Sequence, residues 1–243
     1  MHHYHGTPCG ATRQDVSRFL AGRHAFISFH RPEDLGTAAE VCQSFAIDNG
    51  AYSAWRSGQA ITDWQPYYDF VEEWHRHPAF DWAIIPDTIT GTEADNDVYL
   101  EDWPSHLEGV PVWHMHETLE RLQRLLTWPR IAIGSSGGFQ TVGTPSWWRR
   151  MTDAMEIICT NGRPATRLHG LRMLDPMVFN KLPLASADST NAVRNSSNFS
   201  RFGQYCPPYA STRMSINAER IEAHQSAGTW TGHPDTGQYT LFG

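Results

Sequence analysis

The sequence has 243 residues, of which 40% are hydrophobic, and its formal net charge is −7. This length and composition exclude a disordered chain and lie near the usual size of one α/β barrel domain. The sequence has no apolar run of 18 residues and no signal peptide, which predicts a soluble cytoplasmic protein without a membrane partner.

The charge is distributed unevenly along the chain. Residues 1–148 hold nine Lys and Arg against 19 Asp and Glu, a net of −10, whereas residues 149–243 hold ten against seven, a net of +3. An acidic protein is not an obvious nucleic-acid binder, but a local arginine-rich face can hold phosphates. The basic half therefore indicates either a phosphate-binding face or an ordinary solvated surface.

Cysteine and histidine spacing gives no metal motif. The cysteines stand far apart and none has CxxC spacing, which favours free thiols in a reducing compartment. They are Cys9, Cys42, Cys159 and Cys206. The histidines His2, His3 and His5 are interrupted by Tyr4, so they are either tag residues or native ones, and no metal site is assigned to them.

Short apolar runs alternate with helical patterns along the chain. The predicted strands are Ala25–Phe29, Phe45–Ile47, Trp82–Ile85, Val110–His116, Arg130–Gly134, Thr166–Leu171 and Leu182–Ala187. The predicted helices are Glu33–Ser44, Trp64–His77, Val98–Leu107, Glu117–Trp128, Pro145–Cys159, Asp175–Lys181 and Ser215–Gln225. Residues 88–97 are predicted to form a loop, and 191–208 an irregular stretch.

The alternation requires a parallel sheet with helical crossovers, either a closed barrel or an open doubly wound sheet. Seven strands are visible in the sequence, and an eighth is not clear. Polar residues stand at the ends of successive strands: Asp48, Asp87, His114 or His116, Ser135, His169 and Asp188. A barrel would gather these ends on a single rim, so we predict a compact TIM-type (β/α)8 barrel with an irregular C-terminal extension.

Asp48 and Asp188 are the leading catalytic candidates. A retaining glycosyl transfer needs one ionised carboxylate as nucleophile and a second group that exchanges protons. Burial and the proximity of like charges would raise the pKa of the second group. The alternative is that each aspartate caps the helix after its strand.

Other residues on this rim are candidates for binding a planar base. The Asp87 carboxylate can accept two N–H bonds from a guanine-like edge, and Tyr52 can stack on the base, although capping and core packing are the alternatives. The turn Ser135-Ser136-Gly137-Gly138 allows close approach of the backbone. His114 and His116 alternate on one strand, so only one can face the interior and a shared metal is not expected.

Four segments resemble motifs of the tRNA-guanine transglycosylases, in the order in which that family carries them. Asp48-Asn49-Gly50-Ala51-Tyr52 resembles DSGG(F/Y), and Ile85-Pro86-Asp87 resembles the segment with the base-recognition aspartate. Residues 132–138 are similar to GGLAVGE. Residues 188–194, Asp-Ser-Thr-Asn-Ala-Val-Arg, resemble the segment with the nucleophilic aspartate.

The resemblance spans about residues 25–195 and implies a single barrel domain over 1–243, with an extension from about 196 to 243. It implies that Asp188 attacks C1′ of the sugar and that Asp48 is the general acid/base. The base would be bound by Asp87, Tyr52, Asn49, Gly134, Ser135, Ser136, His114 and His116. The nucleic-acid backbone would be bound by Arg194, Arg149 and Arg150.

The sequence also departs from the tRNA enzymes. Those carry CxCxxC and a later His as a structural zinc site, whereas here only Cys206 and His224 occupy the corresponding region, so no cofactor is expected. Ala51 replaces a glycine, and His114-Met115-His116-Glu117 replaces Gln-Gly-Gly after the fourth strand. A short chain lacking those cysteines is more similar to the DpdA-type DNA-guanine transglycosylases, including those of bacteriophages, which would place it in the host cytoplasm.

The resemblance implies exchange of guanine in DNA for a 7-deazaguanine such as 7-cyano-7-deazaguanine (preQ0). The expected partners are DNA and the free deazaguanine base, with a homodimer as an open alternative for the assembly. Three other functions stay open: a tRNA-guanine transglycosylase, a nucleoside deoxyribosyltransferase or N-glycosidase, and a non-catalytic nucleic-acid-binding subunit.

Overall fold

A parallel sheet that curls into a barrel forms the centre of the molecule. The computed structural model describes residues 1–7, 12–59 and 61–232, so Cys9 and residues 233–243 of the predicted extension lie outside the described residues. The strands are β1 (His2–Gly6), β2 (His24–Ser28), β3 (Ser44–Asp48), β4 (Phe80–Ile84), β5 (Gly109–Val110), β6 (Val112–His114), β7 (Arg130–Gly134), β8 (Cys159–Thr160), β9 (Arg163–Pro164), β10 (Arg167–Gly170) and β11 (Ser186–Ser189).

The helices cover the outside of the sheet. They are α1 (Arg13–Leu20), α2 (Leu35–Val41), α3 (Ala51–Arg56), α4 (Gln65–Trp74), α5 (Glu93–Asp102), α6 (Leu119–Leu125), α7 (Pro145–Ile158), α8 (Pro176–Phe179), α9 (Asn191–Arg194) and α10 (Ala210–Glu222). No helix among the described residues is both long and apolar enough to cross a bilayer.

The strand order of the sheet is β5-β4-β3-β2-β1-β11-β10-β7-β6, and β8 and β9 form a separate antiparallel pair. The two end strands are parts of one strand interrupted at Pro111, whose carbonyl accepts the N–H of Ala132 at 2.9 Å. Because β5 pairs with β4 and β6 pairs with β7, the sheet returns to itself through this interruption. The predicted TIM-type barrel is confirmed.

The strand that the sequence did not reveal is β1. It lies between β2 and β11, with Tyr4 paired to His24 on one side and to Asp188 on the other. Its histidines are integrated into the fold: Nε2 of His3 donates to the carbonyl of His224, and Nε2 of His5 to Glu222, both at 2.9 Å. A run of histidines does not show the apolar pattern of a buried strand, so the sequence did not predict β1. The histidines can lie in this strand because His3 and His5 have polar partners near the C-terminal end of α10.

Several predicted boundaries were wrong for local reasons. The predicted loop 88–97 contains the start of α5, because Thr92 and Asp95 form a reciprocal capping box. Thr118 caps α6, which therefore begins two residues later than predicted. The predicted seventh strand lies further along the chain, so Asp188 is inside β11. The stretch 191–208 contains α9 and two short 3-10 helices, and α10 begins at Ala210.

The barrel interior is filled mainly by aromatic and aliphatic side chains. Tyr4, Phe26, Trp82 and Ile84 are buried there with smaller residues of the other strands. The outer faces of the strands pack against the helices in two larger apolar clusters. The interior is a packed core, so chemistry is confined to the two ends of the barrel.

Candidate active site at the carboxyl ends of the strands

Three aspartates reach the same rim of the barrel. Asp48 ends β3, Asp87 follows β4 by three residues, and Asp188 lies in β11. The negative charges of Asp188 and Asp87 both contribute to the electrostatic environment of Asp48. The structure therefore brings together the three carboxylates that the sequence placed at separate strand ends.

Asp48 is the carboxyl group suited to proton exchange. Burial raises its pKa to about 7, the hydrogen bond from Ser28 opposes this, and the charges of Asp188 and Asp87 reinforce it. The Ser28 hydroxyl donates to Oδ2 of Asp48 at 2.9 Å. At Gly50 φ is +78°, and a Cβ would lie 2.9 Å from the backbone nitrogen of His30. Glycine there lets the chain turn sharply after Asp48 into α3.

Asp188 has a different environment. Its side chain is buried, with 7% of the residue exposed. Oδ1 accepts the backbone N–H of Arg172 at 2.8 Å, and Nε2 of His169 lies 3.4 Å from the same oxygen. His169 is fully buried, and burial lowers the pKa of its imidazole despite the nearby Asp188. These contacts all involve Oδ1 of Asp188.

Asp87 is held by two side chains from neighbouring strands. The Asn49 amide donates to Oδ1 at 2.7 Å, and Nε2 of His114 donates to Oδ2 at 2.7 Å. Burial acts to lower the pKa of His114, but the hydrogen bond and charge of Asp87 outweigh it, so the pKa is raised. Asn49 also donates to the carbonyl of Ile85 and accepts from the N–H of Ala51. Asn49 therefore orients Asp87, and its amide is already engaged by the protein.

The aromatic candidate Tyr52 lies beside an arginine that the sequence did not single out. The guanidinium of Arg172 stands over the Tyr52 ring, 4.3 Å from its centroid. Arg172 also donates to the carbonyl of Ser135 at 3.0 Å. Tyr52 is 39% exposed, so part of its side chain remains open to solvent beside Arg172.

The turn after β7 is fixed by its side chains. Nε1 of Trp147 donates to Oγ of Ser135 at 2.9 Å, and Nδ1 of His116 lies 2.7 Å from Oγ of Ser136. Gly134 ends the strand, and its carbonyl accepts the N–H of Met115 at 2.9 Å. His116 is exposed beyond the end of β6, whereas His114 is buried at the site. The serine hydroxyls are therefore engaged, and the turn offers mainly its backbone to a ligand.

The three arginines expected to bind a nucleic-acid backbone occupy different environments. Arg149 and Arg194 are exposed. Arg150 donates to the carbonyls of Met115, at 2.9 Å, and Glu117. Arg150 thus ties α7 to the loop after β6, whereas the other two arginines face solvent.

Sequence reasoning missed Ser28 and Arg172, and it noted His169 only as a strand-end polar group. Arg172 has a φ of +58°, in the left-handed region, and no sequence pattern predicts this conformation for an arginine. Its backbone contact with Asp188 depends on the pairing of β10 with β11. The one available signal was position, since Arg172 follows its strand by two residues.

The described residues do not gather a zinc site around Cys206 and His224. The thiol of Cys206 contacts the carbonyl of Pro207 at 3.8 Å, and neither residue joins a group of three metal-ligating side chains within the described ranges. Cys42 and Cys159 are free, as is Cys206. Burial raises the pKa of the Cys42 and Cys159 thiols to about 11, which disfavours reactive thiolates.

Comparison with known proteins gives a fold and no family. No protein-family model matches the sequence, and no curated protein matches it. The fold is similar to mutants of the tryptophan synthase alpha-subunit from the hyperthermophile Pyrococcus furiosus. One has 11% identity and a TM-score of 0.54, covering 91% of this chain and 97% of that chain. Another has 10% identity and a TM-score of 0.53, covering 92% and 98%. At this identity the likeness supports the barrel fold alone.

Proposed function

We propose that this protein is a glycosyltransferase that exchanges guanine in DNA for a 7-deazaguanine, such as 7-cyano-7-deazaguanine. One observation carries the proposal. Asp48 and Asp188 share one rim, but the pKa of Asp48 is raised to about 7 while Asp188 is held by a backbone N–H donor. Two carboxylates in unlike environments are what a double-displacement glycosyl transfer requires. The identity of the base and the polymer rests on the motif resemblance.

The proposed reaction has two balanced steps. In the first, an Asp188 oxygen forms a bond to C1′ of the target deoxyribose, the C1′–N9 bond breaks, and protonated Asp48 gives its proton to the departing guanine. In the second, ionised Asp48 removes the N9 proton of the incoming 7-deazaguanine. N9 then forms the new bond to C1′, and the bond to Asp188 breaks. A group with a pKa of about 7 can serve in both steps near neutral pH.

Recognition of the base falls to Asp87 and the surfaces around it. Each carboxylate oxygen has two lone pairs, so Asp87 can keep its bonds from Asn49 and His114 and still accept N–H groups from a guanine edge. The Tyr52 ring and the Arg172 guanidinium offer flat surfaces for a base, and the backbone of the turn after Gly134 offers polar atoms.

DNA as the polymer requires that the target guanine leave the base stack, because C1′ is not accessible to a buried carboxylate within a duplex. The exposed side chains of Arg149 and Arg194 are the proposed phosphate contacts. Phosphate contacts of this kind predict that DNA binding weakens as the salt concentration rises.

The deciding experiment is an exchange assay with isotopically labelled guanine and, in separate reactions, duplex DNA, single-stranded DNA, tRNA and free deoxyguanosine. Label entering DNA supports the proposal, and digestion to nucleosides after a reaction with 7-cyano-7-deazaguanine should yield the modified deoxynucleoside. Label entering only tRNA would assign the RNA reaction instead. Exchange with free deoxynucleosides alone would indicate a deoxyribosyltransferase, and binding without exchange a non-catalytic subunit.

Asp188→Ala is the test variant for this assay, and Asp153→Ala is its matched control. Asp188→Ala should abolish exchange and the covalent protein–DNA intermediate that survives denaturation. Asp153→Ala changes an exposed aspartate on α7 and should retain both. Full exchange by Asp188→Ala would refute the assignment of the nucleophile. Asp188→Asn is a poorer choice, because deamidation would restore the carboxylate.

A further inference from the structure

The opposite end of the barrel carries a second group of polar side chains. His2, His24 and Asp81 each offer one ligand atom, and these three atoms lie within 4.8 Å of one another. They belong to the amino ends of β1, β2 and β4, whereas the three aspartates of the candidate active site lie at the carboxyl ends. This amino-terminal group is therefore separate from the proposed transglycosylase chemistry.

A break in the strand register places Asp81 in this group. Phe45 pairs with Phe80, but the next residue of β3, Ala46, pairs with Trp82. Asp81 is consequently the extra residue of β4, opposite no partner of its own. Bulges of this kind re-aim a side chain, and they are common next to functional sites.

The carboxylate of Asp81 is held in place on one side. Its Oδ2 accepts the hydroxyl of Tyr4 at 2.5 Å and the hydroxyl of Ser44. Nδ1 of His24 lies 2.7 Å from the same Ser44 hydroxyl. A chain of hydrogen bonds therefore runs from His24 through Ser44 to Asp81, using one ring nitrogen and one carboxylate oxygen. Metal-binding histidines and carboxylates are commonly oriented by outer hydrogen bonds of this type.

The rings of His2 and His24 lie face to face. Their centroids are 4.4 Å apart and their planes differ by 6°. His2 is exposed, so its ring is free to turn out of this stack and bring a nitrogen to about 2.1 Å from an ion shared with the other two ligands. The guanidinium of Arg130, also at this end, donates to Ser186 at 3.1 Å and lies over the Trp82 ring at 5.2 Å.

We propose that His2, His24 and Asp81 bind one divalent transition-metal ion of the zinc type at the amino end of the barrel. Two imidazoles and one carboxylate are ligands that such ions prefer, and water would complete the coordination. The ion would join β1 to β2 and β4, so its binding would stabilise the position of the first strand. This inference does not depend on the proposed enzymatic function.

A second group of similar composition provides the matched control. Glu72, His75 and His106 also place ligand atoms within 4.8 Å of one another. However, Nε2 of His106 bonds to the Glu72 carboxylate at 2.7 Å, and Nδ1 of His75 bonds to the Glu72 carbonyl at 2.7 Å. Glu72 and His106 are exposed, and no buried side chain supports them among the described contacts. We expect this surface group to bind an ion only weakly.

The test uses the untagged full chain after treatment with a chelator. Titration with Zn²⁺ by calorimetry should show one tight site, and Co²⁺ should give the visible absorption of a cobalt ion with nitrogen ligands. Asp81→Ala and His24→Ala should weaken binding by more than about tenfold. His2→Ala should do the same without affecting the fold, because that side chain is exposed. Zn²⁺ should raise the thermal unfolding midpoint of the wild type but not of these variants.

Glu72→Gln combined with His106→Ala should leave the tight site intact, as should His3→Ala, which alters a neighbouring histidine outside the proposed ligand set. Tight binding that survives both His2→Ala and Asp81→Ala would overturn the proposal. So would loss of binding in the Glu72/His106 variant, or the absence of a tight site in the wild type. Circular dichroism of each variant separates loss of a ligand from loss of the fold.

Discussion

Nε2 of His114 donates to Oδ2 of Asp87 across 2.7 Å, and both side chains are buried at the rim of the barrel. The bond joins the loop after β4 to the end of β6, although the two residues are 27 positions apart in sequence. Asn49 completes the arrangement from the end of β3. The residue proposed to read the base is thus fixed before any ligand arrives, which lowers the entropic cost of recognition.

The first prediction concerns base reading by Asp87. Asp87→Asn keeps the shape of the side chain but replaces one acceptor oxygen by an N–H donor, which would oppose the donor of Asn49 or His114 as well as the N–H groups of guanine. We expect kcat/KM for guanine exchange to fall by about 100-fold, from a lost buried hydrogen bond of roughly 3 kcal/mol. Steady-state exchange at several guanine concentrations measures it. Asp153→Asn should match the wild type, and an unchanged kcat/KM in Asp87→Asn would remove the base-reading role.

The second prediction concerns stability as a function of pH. The pKa of Asp48 is raised from 3.8 to about 7 in the folded protein. Between these values the folded state binds more protons than the unfolded state, so the contribution of Asp48 is lost as pH rises through the folded pKa. Asp48→Asn removes this dependence. The unfolding free energy of the variant minus that of the wild type should therefore increase by roughly 1 to 4 kcal/mol as the pH is raised from 4 to 8.

Urea unfolding at intervals from pH 4 to pH 9 measures this difference. Asp153→Asn, which replaces an exposed carboxylate, should keep the pH dependence of the wild type. If the unfolding free energies of Asp48→Asn and the wild type changed with pH in parallel, the Asp48 carboxyl would titrate at its ordinary value. In that case Asp48 would also be poorly suited to proton exchange near neutral pH.

The third prediction concerns the Tyr52 ring and the Arg172 guanidinium above it. Tyr52→Leu should raise KM for the incoming base by about tenfold with little change in kcat, because stacking is worth about 1–3 kcal/mol per base. Arg172→Ala should act in the same direction and should spare kcat more than Asp188→Ala does, since its contact with Asp188 is made by the backbone N–H.

Trp55→Leu is the comparison variant for this prediction. The Trp55 ring lies 5.9 Å from that of Tyr52 on the same short helix, and it is also exposed. The Arg172 guanidinium is stacked on Tyr52, so the effect of Trp55→Leu on KM should be the smaller one. Equal effects would show that the surface of α3 acts as a whole and that Tyr52 has no special role.

The fourth prediction concerns a buried ion pair behind the site. Arg121 donates to Glu117 at 2.7 Å, and the two residues are 1% and 4% exposed. Glu117 also accepts the backbone N–H of His114 at 2.8 Å, so it fixes the end of β6. Arg121→Met would leave the Glu117 charge buried without its partner, and it should cost about 3–5 kcal/mol of unfolding free energy.

Chemical unfolding measures this cost, with Arg124→Met as the control. Arg124 pairs with Asp97 at 3.0 Å, but its side chain is 57% exposed, so its loss should cost less than about 1 kcal/mol. Adding Glu117→Gln to Arg121→Met should recover part of the loss, because the unpaired charge is removed. A cost for Arg121→Met no larger than that of the control would contradict the ion-pair interpretation.

Much of the fold could be predicted because the spacing of apolar residues and the order of the segments are properties of the local sequence. Alternating apolar runs and amphipathic segments indicated a parallel sheet with helical crossovers, and polar residues after successive runs favoured a closed barrel over an open sheet. The strand β1 was not predictable in this way. The Nε2 atoms of His3 and His5 bond to the carbonyl of His224 and the carboxylate of Glu222, more than two hundred residues away.

The sequence by itself determined which residues stand at strand ends, and hence that Asp48, Asp87 and Asp188 were candidates. The tertiary structure decided how these carboxylates differ. Burial and neighbouring charge raise the pKa of Asp48, a backbone N–H holds Asp188, and side chains from two other strands hold Asp87. Desolvation and hydrogen bonding depend on atoms brought together across the barrel. The same residue type can therefore acquire different chemical properties only after the sheet has closed.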